Sequence, residues 1–344
     1  VGKSERLMMD LSPNKTGVQR KGSYDVERQG ASDYGVSERL LKTSSSKSKG
    51  AKKGKLIELV FIVAFQLASS ISMSLVNKAA VGYLPYPIIL LVFQTLGTVV
   101  ILEVGKLMKT LHYEGFKWEK GGKKFLGVSI AVAIPMVFNM LALKYVSVAT
   151  TVVFRQVSTA LVAVGEFVIF KKKFKVLVIL SILIGIFGSL VYGFTATDFQ
   201  LLGYIYSFLY AVSMAINALY VKSIFDQLPA MSPWEKTYYQ NLESTPFLIL
   251  MALPVESFGG CLSDMRDLPF NGWLVIGASC FAGFAISVAG ILSRTALSPT
   301  SFQILGNMSK PMTVVLSFFI FGAESSLKAL VGLSMVLVAG IIYS

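Results

Sequence analysis

The feature that most constrains the fold is a series of apolar runs, each about 20 residues long, which starts near Lys55 and continues along the rest of the sequence. A helix of about 20 predominantly apolar residues is long enough to cross the hydrocarbon core of a bilayer. Only 15% of the residues are charged, whereas about a quarter are charged in a typical soluble domain. The sequence therefore predicts an all-α polytopic membrane protein.

Ten of these runs are predicted to be transmembrane helices, because each is apolar throughout and a short polar link follows it. They cover about residues 56–79, 86–108, 125–144, 148–170, 175–194, 199–222, 237–254, 271–292, 298–321 and 325–344. Gln94 interrupts the second run, and the polar stretch from Tyr238 to Glu243 interrupts the seventh.

The charges of the links predict the orientation of the helices. Lys and Arg concentrate in every second link, and the alternate links contain acids and Arg266. The basic links are residues 109–124, 171–175, 223–236 and 293–295. Because cytosolic loops carry an excess of Lys and Arg, this pattern places the basic links and both termini in the cytosol.

The first 55 residues differ in composition from the rest of the chain. They hold 13 Lys and Arg against 6 Asp and Glu, and they have few aromatic residues. Such a composition is typical of disorder. A basic tail can bind nucleic acid, but beside a first transmembrane helix it acts more simply as a cytosolic anchor. We therefore predict a disordered basic tail over 1–55 and no nucleic-acid partner.

The two halves of the helical part resemble each other. At an offset of 151 residues, Ser147 matches Ser298 and Tyr192 matches Tyr343, and "FQTL" at 93–96 corresponds to "YQNL" at 239–242. Because each half contains five spans, the halves must face opposite ways across the bilayer. We predict two inverted five-helix repeats, 56–197 and 198–344. Inverted repeats are typical of alternating-access transporters, whose substrate site lies near the bilayer midplane.

A cluster of polar residues lies deep in the ninth run. Gly306 and Pro311 permit close approach and interrupt regular helical bonding. Asn307 and Ser309 offer hydrogen bonds, and Lys310 offers a compact cation suited to phosphate. An ionisable residue at this depth costs at least about 2.5–3.5 kcal/mol and is usually functional or paired. The alternative is that Lys310 pairs with a carboxylate, but few acids lie in the spans.

Arg155 and Gln156 form a second polar site, in the fourth run. Under the repeat, Arg155 lies opposite Gly306 and Thr159 lies opposite Lys310. Arg155 and Thr159 are four residues apart and share a helix face. Two cations from symmetry-related helices are therefore expected to meet near the midplane. Glu166 either pairs with a cation or lies at the cytosolic interface.

Aromatic and amide side chains begin the seventh run, at Tyr238, Tyr239, Gln240 and Asn241. Such groups stack on a nucleobase and hydrogen-bond to its edge. The alternative is an aromatic belt at the membrane interface. A weaker polar site, Asn77 with Lys78, ends the first run, where Lys78 is also able to reach the lumenal surface.

Taken in order, these stretches resemble the nucleotide-sugar transporters of the drug/metabolite transporter superfamily, and most closely the GDP-mannose and GDP-fucose branch. "LVNKAAV" around Asn77 and Lys78 is similar to the family's first-helix segment, and "VVFRQVSTALVAVGE" is similar to its fourth-helix stretch. "YYQNL" resembles the family's base-reading FYNN motif, and "GNMSK" resembles its GALNK motif.

The resemblance implies a fold of ten helices in two inverted repeats and an exchange of cytosolic nucleotide sugar for lumenal nucleoside monophosphate across the Golgi membrane. It assigns Tyr238 to Asn241 to the base, and Gly306 to Lys310 to the phosphates and sugar. Ser287 would line the cavity. The chain departs from the family at Gln240, where the motif has Asn, and at Arg155-Gln156, which replace Lys-Asn. Gln240 and this pair leave both the base and the sugar open.

Several alternatives stay open or are disfavoured. A UDP-sugar transporter has the same fold, and a triose-phosphate or phosphoenolpyruvate exchanger would need the cations but no base site. An enzyme would need acid–base groups near the site, whereas the single histidine, His112, lies in a link. Cys261 and Cys280 do not form a metal motif, so we expect no metal and no cofactor. The expected partners are the substrate, the counter-substrate and the bilayer; a homodimer stays open.

Overall fold

The computed structural model describes residues 25–143, 145–146, 148–193, 200–321 and 327–343, with side chains from Gly54 onward. The chain divides into two compact units, residues 1–58 and 59–344. In the first unit, residues 1–24 of the predicted tail lie outside the described part, and the backbone is helical from Asp25 onward. The disorder expected of residues 1–55 stays a prediction.

All regular structure in the described residues is helical. A short π-helical turn, Trp118–Gly122, precedes α3. The α-helices are α1 Asp25–Tyr83, α2 Pro87–Leu107, α3 Lys123–Leu143, α4 Val148–Ile169, α5 Val176–Gly193, α6 Leu201–Gln227, α7 Pro233–Ala252, α8 Phe258–Arg266, α9 Phe270–Ala296, α10 Pro299–Phe321 and α11 Leu327–Tyr343.

Six helical segments of the described residues are long and apolar enough to cross a membrane. They are Gly54–Tyr83, Pro87–Leu107, Trp118–Asn139, Thr150–Ile169, Leu201–Gln227 and Phe270–Ala296. Two further apolar segments, Val176–Val191 and Val331–Tyr343, are shorter. The protein is therefore a helical membrane protein, and the full count of ten spans stays a prediction.

The helices of the second unit pair across the predicted halves. α2 packs against α7 and α9, and α3 packs against α6 and α7. α4 contacts α5, α6 and α10, while α11 contacts α5 and α10. Gly188 lets α5 and α11 approach closely, because a Cβ there would lie 2.9 Å from the Gly332 carbonyl oxygen.

Two helix starts show how local sequence sets the boundaries. α7 begins with a capping box, in which Ser232 Oγ accepts from the Glu235 amide and the Glu235 carboxylate accepts from the Ser232 amide. α2 has no side-chain cap of its own, and its Ile88 and Ile89 amides donate to the Glu256 carboxylate at 2.8 and 2.9 Å. A carboxylate at a helix N-terminus is stabilising, so Glu256 joins two sequence-distant helices.

Some boundaries differ from the predicted ones. α9 continues to Ala296, four residues beyond its apolar run, and α6 continues to Gln227. The predicted lumenal link 256–272 contains α8, whose Ser257 Oγ accepts from the Gly260 amide. Polar residues at helix ends end the apolar pattern without ending backbone hydrogen bonding, and hydropathy therefore underestimates helix length.

Candidate substrate site

A central cavity of about 450 Å³ lies among the helices of the second unit. Helices α1, α2, α3, α4, α6, α9 and α10 contribute to its wall. Its polar lining residues are Gln66, Ser70, Ser74, Asn77, Asn139, Arg155, Asn217, Arg294, Gln303 and Lys310. We call this space the cationic cavity. Its volume lies in the range of pockets that hold small ligands, about 300–1,000 Å³.

Three cations line the cationic cavity: Arg155 from α4, Arg294 from α9 and Lys310 from α10. The wall contains no Asp or Glu, and none of the ion pairs in the described part of the chain involves these three residues. The Arg294 guanidinium lies 4.9 Å from the centre of the Phe302 ring, and its buried Nε has no hydrogen-bond partner there. Like charges without a counterion attract an anion strongly where the local dielectric is low.

Asn307 joins α10 to α4 behind the cavity wall. Its Oδ1 accepts from Arg155 Nε at 3.0 Å, and its Nδ2 donates to Gln156 Oε1 and Thr159 Oγ1, both at 2.8 Å. Every polar atom of the Asn307 amide is thus engaged, and Asn307 fixes the position of Arg155. Gly306 completes the arrangement, because a Cβ at that position would lie 3.1 Å from an Arg155 nitrogen.

Besides Asn307 and the residues predicted to bind or surround the base, three predicted site residues do not line the cationic cavity. Ser309 is buried, donates to the Gly306 carbonyl and accepts from Ser70 Oγ at 2.9 Å, so it ties α10 to α1. Gln156 is buried behind Asn307. Lys78 is exposed and lies outside the lining, while its neighbour Asn77 is part of it.

A smaller cavity of about 110 Å³ adjoins the cationic cavity. Both share a wall made of Met73, Leu91, Val132, Met136 and Ile286. Amide and hydroxyl groups line the smaller space, which we call the amide pocket. They belong to Gln94, Thr95, Gln240, Asn241, Ser244 and Ser287.

The amides of this pocket differ in what they can still bind. Asn241 Nδ2 donates to the Thr237 carbonyl, and its Oδ1 accepts from Ser287 Oγ at 3.3 Å. Gln94 Nε2 donates to Asn77 Oδ1 at 2.7 Å, but its buried Oε1 has no partner among the described residues. Gln240 Oε1 is also buried without a partner there. The pocket therefore presents two free amide oxygens and the Ser244 hydroxyl, which also has no partner among the described residues, and such buried polar groups are costly without a hydrogen bond.

Tyr238 and Tyr239 lie outside the amide pocket, although they precede its lining residues directly. The Tyr239 ring is 1% exposed and packs between Phe116 and Phe125, and its hydroxyl accepts from the Lys117 amide at 2.6 Å. The Tyr238 ring packs on Tyr113. Both rings fix the start of α7 against the link before α3.

The same end of α7 carries an ion-pair network. Lys120 Nζ lies 3.1 Å from the Glu235 carboxylate and 2.8 Å from that of Glu114. Hydrogen bonds from Lys120 and Lys117 lower the pKa of the exposed Glu114 carboxyl. Glu114 therefore stays charged at neutral pH, and the link before α3 is held to the start of α7 by charge as well as by aromatic packing.

Most polar lining residues were not predicted from the sequence, and Arg294 and Gln94 are the two that show why. Arg294 follows the eighth apolar run and was placed in a cytosolic link, and Gln94 was noted only as an interruption of the second run. Both carry a signal that sequence reasoning can use, because each is a polar group within a helix otherwise suited to the membrane. Of the two predictions for Glu166, the pairing with a cation is the one observed. Its buried carboxylate lies 3.3 Å from Lys172 Nζ and accepts a hydrogen bond from the Thr300 amide.

The sequence of this chain is similar to those of known transporters. The model of the UAA transporter family matches residues 119–344, and the chain belongs to that family. The protein is thus a transporter and not an enzyme. It is 28% identical to GDP-fucose transporter 1 of Arabidopsis thaliana, over 87% of this chain and 88% of that protein. It is 31% identical to the GDP-mannose transporter GONST3 of the same plant, over 45% of this chain and 43% of that protein. These findings confirm the resemblance to nucleotide-sugar transporters.

A solved crystal structure has the same fold. Its TM-score with this protein is 0.64 at 12% sequence identity, and the match covers 83% of this chain and 97% of the other.

Proposed function

We propose that the protein transports a GDP-sugar, GDP-mannose or GDP-fucose, into the Golgi lumen in exchange for GMP. The observation that carries the proposal is the adjacency of the cationic cavity and the amide pocket. A nucleotide sugar has a diphosphate next to a nucleoside, so one molecule can occupy both spaces at once. The same five side chains line both spaces, so the diphosphate and the base of one ligand would lie on either side of them.

The cationic cavity fits the diphosphate. A GDP-sugar diphosphate carries about two negative charges, and Arg155, Arg294 and Lys310 supply three positive ones without a competing acid in the wall. Lys310 acts as a compact point charge, while the arginines offer planar forks to the phosphate oxygens. The sugar would bind to the uncharged polar part of the wall, which includes Asn139, Asn217 and Gln303.

The amide pocket fits guanine better than uracil. Guanine presents two adjacent donor groups, the ring N1–H and the exocyclic N2 amino group, whereas uracil presents one N–H between two carbonyls. Two amide oxygens of the pocket have no partner among the described residues, Gln94 Oε1 and Gln240 Oε1, and the Ser244 hydroxyl beside them also lacks one. A base that leaves a buried acceptor unpaired loses about 1–3 kcal/mol. In this proposal Asn241 and Ser287 shape the pocket, and the tyrosines support α7.

Most of the remaining predicted site residues position other side chains, which in turn contact the ligand. Asn307, Gln156 and Ser309 hold α10 against α4 and α1 and so orient Arg155 and Lys310. Asn77 orients the Gln94 amide. Lys78 lies at the end of the first span, outside the cavity lining.

Helix pairing supports an alternating-access mechanism. Under the predicted repeat, the contact of α2 with α9 corresponds to that of α7 with α3, and the contact of α4 with α5 corresponds to that of α10 with α11. Equivalent pairings are expected of two inverted halves of five spans each, which together place both termini of the chain in the cytosol. Rocking one half against the other would expose a fixed site to each side in turn.

The proposal is tested by melting the purified protein with GMP, UMP, CMP or AMP at matched concentrations. A ligand at about 100 times its Kd stabilises the folded state by about 2.7 kcal/mol. GMP is expected to raise the Tm most, and Gln240→Leu should remove its advantage over UMP. A larger rise with UMP would instead favour a UDP-sugar transporter. A rise with inorganic phosphate alone would favour a phosphate-ester exchanger, and no rise with any of these would contradict the proposal.

A further inference from the structure

An apolar groove runs between α4 and α5, separate from the substrate site. Its volume is about 580 Å³. The lining residues are Ala160, Ala163, Val164, Phe167, Lys173, Phe174, Ile179, Ile182, Leu183 and Ile186, none of which lines the cationic cavity or the amide pocket. We call it the α4–α5 groove.

The side chains of the groove are suited to hydrocarbon. Val164, Phe167 and Leu183 are 60%, 57% and 55% exposed in the protein alone. Ala160 and Ala163 lie between them, and their short side chains make this face concave. In a bilayer such a concave apolar surface is filled by an acyl chain, because an empty space would lose dispersion contacts on one side.

The link between α4 and α5, "KKKFK", places positive charge at one end of the groove. Lys172 is already engaged, since its Nζ pairs with Glu166 and lies 5.0 Å from the centre of the Phe174 ring. Lys171, Lys173 and Lys175 are exposed, and no ion pair in the described part of the chain includes them. Lys173 itself lines the groove.

We propose that the α4–α5 groove binds one anionic phospholipid. Its acyl chain lies along Ala163 and Leu183, and its headgroup phosphate accepts hydrogen bonds from Lys173 with Lys171 and Lys175 nearby. Basic residues next to apolar helices attract anionic lipids, at about 1 kcal/mol for each Lys or Arg. A second copy of the chain fits less well: in a parallel twofold dimer across this groove, both lysine links would meet at the same side of the membrane and repel each other.

The proposal is tested by lipid binding to the full chain in detergent, with native mass spectrometry as the readout. Phosphatidylserine and phosphatidylcholine with identical short chains are titrated separately, and glycerophosphoserine supplies the headgroup without chains. Lys173→Gln/Lys175→Gln is expected to weaken phosphatidylserine binding about 30-fold, as two lysines would. The control is Lys109→Gln/Lys123→Gln, which removes two exposed lysines from another link and should leave binding within about twofold.

The groove itself is tested by Ala163→Phe, which fills it. This variant should lose binding of the two-chain lipid, and a melting curve shows that it is folded. Equal losses from both lysine pairs would overturn the proposal in favour of diffuse surface charge. Equal binding of the headgroup without chains would also overturn it, as would a dimer that Ala163→Phe converts to monomer. Because the readout is lipid binding, the result does not depend on which solute the protein transports.

Discussion

No ion pair in the described part of the chain compensates the charge of Arg294. Its guanidinium contacts the Phe302 ring, its Nε lacks a partner, and Arg155 and Lys310 line the same space. We expect Arg294→Gln to weaken GMP binding about 10- to 100-fold, as the loss of a charged hydrogen bond would. The Tm without ligand should not fall, because a repelling charge is removed. Calorimetric titration and melting measure the two effects.

The exposed Arg266→Gln in α8 is the matched control for this experiment, and it should leave both quantities unchanged. If Arg294→Gln melts several degrees lower without ligand and binds GMP normally once folded, Arg294 has a structural role and the site holds two functional cations.

Asn307 differs from Arg294, because its amide is fully satisfied within the protein. Its bonds to Arg155, Gln156 and Thr159 join α10 to α4. Asn307→Leu keeps the size but leaves these buried partners unpaired, and we expect a loss of roughly 2–4 kcal/mol in stability. GMP affinity should fall as well, since Arg155 loses its positioning bond. Chemical unfolding and GMP titration measure these two changes.

Thr159→Val separates the two effects of Asn307. It removes the acceptor of one Asn307 hydrogen bond and a 3.4 Å bond from Thr159 Oγ1 to the Arg155 backbone carbonyl, and it leaves the bond between the Arg155 side chain and Asn307 in place. The expected loss of stability is about 1 kcal/mol with GMP affinity unchanged. An affinity loss as large as that of Asn307→Leu would show that Arg155 is not the residue through which Asn307 acts.

At the scale of helices, close packing of α5 on α11 depends on Gly188. A Cβ there would lie 2.6 Å from the Met335 Cβ and 2.9 Å from the Gly332 carbonyl oxygen. We expect Gly188→Ala to destabilise the protein by about 1–3 kcal/mol through overpacking. Gly277→Ala in α9 is the control, since nothing lies within 4 Å of its Cβ position. Equal melting temperatures for the two variants would contradict this account.

Sequence patterns predicted the existence of the helices well, because apolar runs of membrane length report directly on burial in lipid. They predicted helix rotation less well. Tyr239 and Gln240 are adjacent in the sequence, yet the Tyr239 ring packs on Phe116 while Gln240 lines the amide pocket. Successive helical residues point about 100° apart, and which one faces the cavity depends on neighbouring helices.

Arg294 shows a different reason why the site could not be read completely from the sequence. Hydropathy ends the eighth run near residue 292, and the positive-inside rule then favours a link for the arginine that follows. The helix continues to Ala296, however, and Arg294 faces the cavity. A cation at the end of an apolar run fits a cytosolic link and also fits a helix end that faces the cavity. Only the packing of the helices distinguishes these two positions.

At the scale of the whole molecule, the helices keep the cavity between the two predicted halves, and contacts near both ends join sequence-distant segments. At the predicted cytosolic end, Lys120 pairs with Glu235. At the predicted lumenal end, the Tyr86 hydroxyl donates to the Asp264 carboxylate at 3.0 Å. The Tyr86–Asp264 contact is exposed, and exposed contacts are weak, about 0–1 kcal/mol each, whereas the Lys120–Glu235 pair is part-buried. In the proposed alternating-access mechanism these two contacts would break in turn.

The charge of the cavity also predicts how transport is coupled. When both ends close, water is excluded, and repulsion among Arg155, Arg294 and Lys310 increases as the local dielectric falls. A bound nucleotide offsets this repulsion, so the empty protein should reorient slowly.

In proteoliposomes, uptake of labelled GMP is expected to be at least about tenfold faster with unlabelled GMP inside than without it, which is about 1.4 kcal/mol in the barrier. Arg294→Gln should reduce this ratio, because one charge fewer is left uncompensated in the empty state. Equal uptake into loaded and empty vesicles would show that the empty protein reorients freely and that exchange is not obligatory.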